Sequence, residues 1–118
     1  MSRDLRLYLQ DILDSIEKIK RYIANVDQTE FAKDEKTFEA IVYNLQIIGE
    51  AAKHIPESDR EIYTQINWRE VVGLRNVISH AYFSLDENII WDIIQSELGG
   101  LADCVRHMKE HIDNPRSQ

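Results

Sequence analysis

An all-α fold, built as an antiparallel four-helix bundle with room for one short additional helix, follows from three observations. Only four glycines and two prolines interrupt the 118 residues, so there is little to break regular structure. Strand-like alternation of apolar and polar residues is missing over any useful length. Three long stretches instead repeat their apolar residues at intervals of three and four, the period of one helix face.

Leu5, Leu9, Ile12, Ile16, Ile19 and Ile23 form the first such stripe, on a helix expected to end near Asn25. A second helix is expected from about Asp34, carrying Phe38, Ile41, Val42, Leu45, Ile48, Ala52 and Ile55, with Pro56 closing it. Gly49 inside that helix costs about 1 kcal/mol relative to alanine, which suggests a close approach by another helix. Asn67, with Glu70 three residues on, has the signature of a capping box for a short third helix containing Trp68, Val71, Val72, Leu74 and Ile78. Ser84-Leu85-Asp86-Glu87 repeats that signature ahead of a long fourth helix. The stripe of that helix is Ile90, Ile93, Ile94, Leu98, Leu101, Val105, Met108 and Ile112, with a kink expected at Gly99-Gly100. Residues 1–113 make one domain, and 114–118 a flexible tail.

Composition narrows the function. Cys104 is the lone cysteine, so no internal disulfide is possible and a reducing, cytoplasmic setting is expected. The charged N-terminus lacks the apolar core of a signal peptide, and no apolar run is long enough to span a bilayer. A formal net charge of −7 argues against broad coating of nucleic acid. A few arginines focused in a cleft can still create a local positive potential.

That focus falls between the third and fourth helices, where Arg75, Asn76, Ser79, His80 and Tyr82 stand within eight residues. Histidine exchanges protons near neutral pH, and arginine holds a phosphate through two parallel hydrogen bonds. Cleaving RNA without a metal needs those parts: deprotonation of the 2′-hydroxyl, stabilisation of charge on phosphorus, and help for the departing 5′-oxygen. On an ideal helix, however, Arg75 and His80 lie roughly 140° apart. Either the helix ends near Ser79 and turns His80 back, or a second subunit completes the site across a two-fold axis. Read alone, the same residues fit an ion pair, a helix cap and a packed ring.

Arg75-Asn76, four spacer residues counted from Arg75, then His80, one residue and Tyr82 resembles the motif of the HEPN superfamily, and within it the HepT-like toxins. The resemblance extends to Ile48-Gly49-Glu50-Ala51-Ala52, Trp68 and Ile90-Trp91, in the family's order, over about residues 38 to 105. It implies a HEPN-like homodimer whose paired motifs form a cleft for RNA, with Arg75 and His80 catalytic and Asn76 supporting them. Cleavage would need no cofactor. It further implies a type VII-like toxin–antitoxin pair, in which an MntA-like minimal nucleotidyltransferase uses ATP and Mg to place AMP on Tyr82. Bulky negative charge there would block RNA by occupancy and repulsion. Glu50 either lines the cleft and holds Arg75 or is an ordinary solvated carboxylate. Ser79 could support the site by bonding phosphate, or bond local backbone. The alternative function is a non-catalytic helical subunit that binds a nucleotide or substrate for a nucleotidyltransferase.

Other clusters are weaker. Cys104, His107 and His111 share a helix side, but no second cluster completes a tetrahedral metal site, and no metal is expected. Trp68 and Trp91 fit core or a dimer interface better than base stacking. Asp11, Asp14, Glu17, Asp34, Glu35 and Glu39 read as solvated faces.

Overall fold

The computed structural model describes residues 3–76 and 86–113, and every regular element within them is helical. The elements are α1 (Leu5–Tyr22), α2 (Gln28–Lys33), α3 (Glu35–Lys53), α4 (Glu57–Arg60), α5 (Trp68–Gly73) with a 3-10 turn at Leu74–Asn76, α6 (Glu87–Ser96) and α7 (Leu98–Asp113). None of these helices is long and apolar enough to cross a membrane.

The apolar stripes become the core. From α1 come Leu9, Ile12, Ile16 and Ile19, from α3 Ile41, Leu45, Ile48 and Ala52, and from α7 Leu101, Val105 and Met108, all buried. Helix α1 packs on both α3 and α7, so the stripes of all three face one interior. Ile90 and Ile94 of α6 close it. Leu5, Phe38, Ile93 and Ile112, expected on the same stripes, lie partly buried at its rim.

Several boundaries differ from the sequence expectation, each for a local reason. Helix α1 stops at Tyr22 rather than near Asn25, because Asn25 takes a left-handed backbone conformation with φ 64°. Asparagine tolerates that conformation better than most residues and so turns the chain out of the helix. The unexpected α2 is short, capped by the Asp27 carboxylate accepting from the Glu30 amide at 2.8 Å. Its Phe31 is fully buried between Phe38 and Trp91, with ring centroids 5.8 and 5.2 Å away. Trp91 is thus a packing residue, which pins α2 to α6. Asp34 does begin α3, accepting from the Thr37 amide at 3.0 Å and hydroxyl at 2.6 Å. Those bonds hold its carboxyl below the usual carboxylate range.

At the other end, α3 stops at Lys53, before Pro56. Arg60 supplies the missing donors there, giving hydrogen bonds to the carbonyls of Ala52, Lys53 and Ile55, each at 3.0 Å. The cap of α6 is Asp86, accepting from the Asn88 amide at 2.8 Å, not Ser84. The break in the last long segment falls at Glu97, between α6 and α7, while Gly99 and Gly100 lie inside the first turn of α7. The Glu97 amide donates to the Ile93 carbonyl and the Leu101 amide to the Glu97 carbonyl, so backbone hydrogen bonds flank the break on both sides.

Candidate functional site

Arg75 reaches the surface by way of a short, well-anchored element. Asn67 caps α5 as expected, accepting from the Glu70 amide at 3.2 Å. Trp68 is buried, and its indole Nε1 donates to the Tyr63 carbonyl at 3.0 Å, which fixes where α5 starts. The α-helix then lasts only to Gly73. Arg75 and Asn76 therefore stand on a tighter 3-10 turn, not on an α-helix running to Ile78. The relation of Arg75 to His80 lies outside the described residues.

Gly49 explains why that turn lies where it does. The turn packs directly on α3, and a Cβ at Gly49 would come within 2.9 Å of the Leu74 carbonyl carbon and 3.0 Å of Arg75 Cα, and closer still to the Arg75 amide nitrogen. Only glycine permits so close an approach. The contact expected from Gly49 is thus made, and its partner is the backbone of Leu74 and Arg75 themselves.

One residue further along α3, Glu50 faces the same turn. Arg75 Nη1 lies 3.9 Å from Glu50 Oε2, with the Arg75 side chain one-third exposed and that of Glu50 more than half exposed. This places Glu50 beside Arg75, in a position that is also largely exposed to solvent. The contact is an ion pair at a distance too long for a hydrogen bond. Exposed pairs contribute only about 0–1 kcal/mol. The pair is too long and too exposed to hold the guanidinium in a hydrogen bond. The other carboxylate oxygen of Glu50 meets His54 Nε2 at 3.8 Å and Lys53 Nζ at 4.0 Å. His54 in turn stacks on Tyr8, with centroids 4.3 Å apart and planes within 8° of parallel.

Asn76 ends the turn at an exposed position. Ser79, His80 and Tyr82 lie outside the described residues. Of the expected site, Arg75, Asn76 and Glu50 are therefore brought to one place. Lys53, His54 and Tyr8 join them without having been singled out from the sequence. The signal for the first two was available, since Lys53 and His54 follow Glu50 by three and four residues and must share its side of α3.

The histidines of α7 have different surroundings. His107 Nδ1 is paired with the Tyr63 hydroxyl at 2.8 Å, and Cys104 is buried. Burial pushes the Cys104 thiol up to about 11 and also raises Tyr63. Among the described residues, no group of three or more His, Cys, Asp or Glu side chains could hold a metal ion.

The described residues are all-helical and present an Arg-Asn turn beside the glutamate-bearing α3, an arrangement compatible with a HEPN-type helical domain. Residues 12–108 match the family model described as "Ribonuclease HepT-like", and this chain belongs to that family, a family of ribonucleases. It is 35% identical over 101 residues to a Thermococcus cleftensis protein named "Probable ribonuclease HepT", covering 86% of this chain and 92% of the relative. It is 28% identical over 116 residues to the "mRNA nuclease HepT" of Shewanella oneidensis, covering 74% of this chain and 87% of that one. A third relative, from Methanocaldococcus jannaschii, is named as a gamma-glutamylcyclotransferase joined to a proposed RNase. It is 29% identical over 117 residues, 99% of this chain, which spans 53% of that longer protein. No solved structure gives a significant match.

Proposed function

We propose that this chain is a metal-independent endoribonuclease toxin of a type VII-like toxin–antitoxin system. In this reading the helices form an antiparallel four-helix bundle that pairs as a homodimer, and the two motifs face one RNA cleft. The observation that supports it most directly is the seating of Arg75: its backbone is set by Gly49 and its guanidinium lies beside Glu50 at a distance too long for a hydrogen bond.

The chemistry needs no cofactor. His80 takes the proton of a ribose 2′-hydroxyl, whose oxygen attacks the adjacent phosphorus. Arg75 stabilises the negative charge that builds on the phosphoryl oxygens, and the P–O5′ bond breaks as the 5′-oxygen receives a proton. The products are a 2′,3′-cyclic phosphate and a 5′-hydroxyl. Asn76 and Ser79 support the pair. An MntA-like nucleotidyltransferase, using ATP and Mg, silences the enzyme: the Tyr82 hydroxyl oxygen, losing its proton, attacks the α-phosphorus of ATP, pyrophosphate leaves, and the AMP ester adds charge where phosphate must bind.

The test is to express the wild type, Arg75→Ala, His80→Ala and Tyr82→Phe without a partner and compare growth and RNA integrity. Wild type is expected to arrest growth and cut RNA in extracts containing EDTA, and the Arg75 and His80 variants to do neither. Toxicity that survives unchanged in His80→Ala rules out the mechanism. Incubation with the partner and ATP is expected to add AMP to Tyr82, and adducts confined to other residues rule out the switch.

A further inference from the structure

The end of α3 next to Arg75 carries more positive charge than the ion pairs there absorb. Arg75, Lys53 and His54 all converge on the single carboxylate of Glu50, at 3.9, 4.0 and 3.8 Å. Each contact is longer than a hydrogen bond, so the donors of the three groups are not saturated. Two full positive charges face one negative charge, before any protonation of His54. In a chain of net charge −7, this local surplus is the opposite of what the bulk composition supplies.

The cluster is also ordered by its surroundings. His54 is the C-cap residue of α3, where its amide donates to the Ala51 and Ala52 carbonyls. Its ring lies flat on Tyr8, and the Arg3 guanidinium stands 4.9 Å from the Tyr8 ring centroid. The imidazole is thereby held in one plane with Nε2 toward Glu50. The Lys53 and His54 side chains remain 48% and 40% exposed, so solvent-borne ligands reach them. None of this is needed by the core, which Ala51, Ala52 and Ile55 serve.

We infer that Lys53 and His54 form a backbone subsite for single-stranded RNA, holding the phosphate next to the one bound at Arg75. This rests on the ribonuclease reading and extends it to how the strand is placed. Lys53 neutralises the neighbouring phosphate, and His54 Nε2 supplies a directed contact from a ring already fixed by Tyr8. Glu50 is displaced from Lys53 and His54 when RNA arrives and keeps its place beside Arg75. Binding on this patch aligns the strand for cleavage without touching the reacting atoms, so its residues act on KM more than on kcat.

The experiment measures binding of a fluorescent single-stranded 12-mer, 2′-O-methylated throughout so that it lacks the nucleophile, as a function of salt. Wild type, Lys53→Gln, Lys53→Arg, His54→Gln, Arg75→Ala and a Lys18→Gln control are compared after circular dichroism confirms equal folding. Each phosphate contact to a single strand contributes about 0.7 to the slope of log K against log salt. Lys53→Gln is expected to reduce that slope by about 0.7, with Lys53→Arg restoring it and Lys18→Gln leaving it unchanged. His54→Gln is expected to weaken binding several-fold and raise KM while kcat holds. Wild-type slope and affinity in both Lys53→Gln and His54→Gln, together with lost binding in Arg75→Ala, would overturn the subsite and leave the nuclease reading intact. Failure of the wild type either to bind or to cleave RNA would overturn both.

Discussion

Replacing Gly49 with alanine puts a methyl group where the Leu74–Asn76 turn now rests. The added Cβ would stand 2.9 Å from the Leu74 carbonyl carbon and 3.0 Å from Arg75 Cα. Non-bonded carbon contacts prefer about 3.5–4.0 Å and the Arg75 amide nitrogen would be nearer than either carbon, so the turn must retreat by about 1 Å. The obstructing atoms are backbone, which cannot swing aside as a side chain would. Overpacking of this kind costs about 1–3 kcal/mol, offset by about 1 kcal/mol from the better helix propensity of alanine. A net loss of about 0–2 kcal/mol is expected, a small fraction of a domain's stability. The effect on catalysis is expected to be larger, because the displaced atoms carry Arg75. A misplacement approaching 1 Å costs about 100-fold in rate. Urea denaturation and initial rates of RNA cleavage, measured on the same preparation, separate the two effects. A Gly49→Ala protein that is about 1 kcal/mol more stable and fully active would refute the reasoning, since propensity alone would then explain the position.

Three further outcomes follow from the packing. Phe31→Ala is expected to cost about 3–5 kcal/mol, because a fully buried ring between Phe38 and Trp91 is lost; a denaturation midpoint close to wild type would show that α2 is not part of the cooperative core. Arg60→Met removes the donors to three carbonyls at the end of α3 and is expected to cost about 1–3 kcal/mol, read as a drop in thermal midpoint that Arg60→Lys restores only in part. Cys104 titrates near 11 in the fold against 9.0 for an unperturbed thiol, so folding favours its protonated form. Its contribution is complete below pH 9 and is lost as pH rises from 9 to 11, since the unfolded chain then binds fewer protons. Stability should fall over that window less steeply in Cys104→Ala.

The helical class and most of the core were legible because burial and helical period are the same signal on α1, α3, α6 and α7. Gly49 was legible too, since a glycine inside a strong helix needs a reason, although its partner could be named only from coordinates. Phe31 was missed because one aromatic in a short polar segment has no period to reveal it. Asp27 with Glu30 was nevertheless a capping signature. The cap of α6 was misplaced because Ser84 and Asp86 are both good N-caps, and the choice between them depends on where the chain arrives. That Glu50 would lie beside Arg75 could not be read from the sequence, because it depends on the turn carrying Arg75 packing against α3. The cluster at Lys53 and His54 went unnoticed because each is an ordinary surface residue, and their meaning comes from a carboxylate shared with Arg75. Ser79, His80 and Tyr82 belong to the motif and lie outside the described residues.

In the proposed mechanism Arg75 serves a ribonuclease that uses the RNA's own 2′-hydroxyl as nucleophile. The most direct measurement is mass spectrometry of the ends left when purified protein cuts a defined RNA in excess EDTA. 2′,3′-Cyclic phosphate and 5′-hydroxyl ends are expected, formed by wild type and abolished or strongly reduced in Arg75→Ala. Cleavage that requires added Mg and leaves 5′-phosphate ends, or cleavage unaffected by Arg75→Ala, would contradict that mechanism.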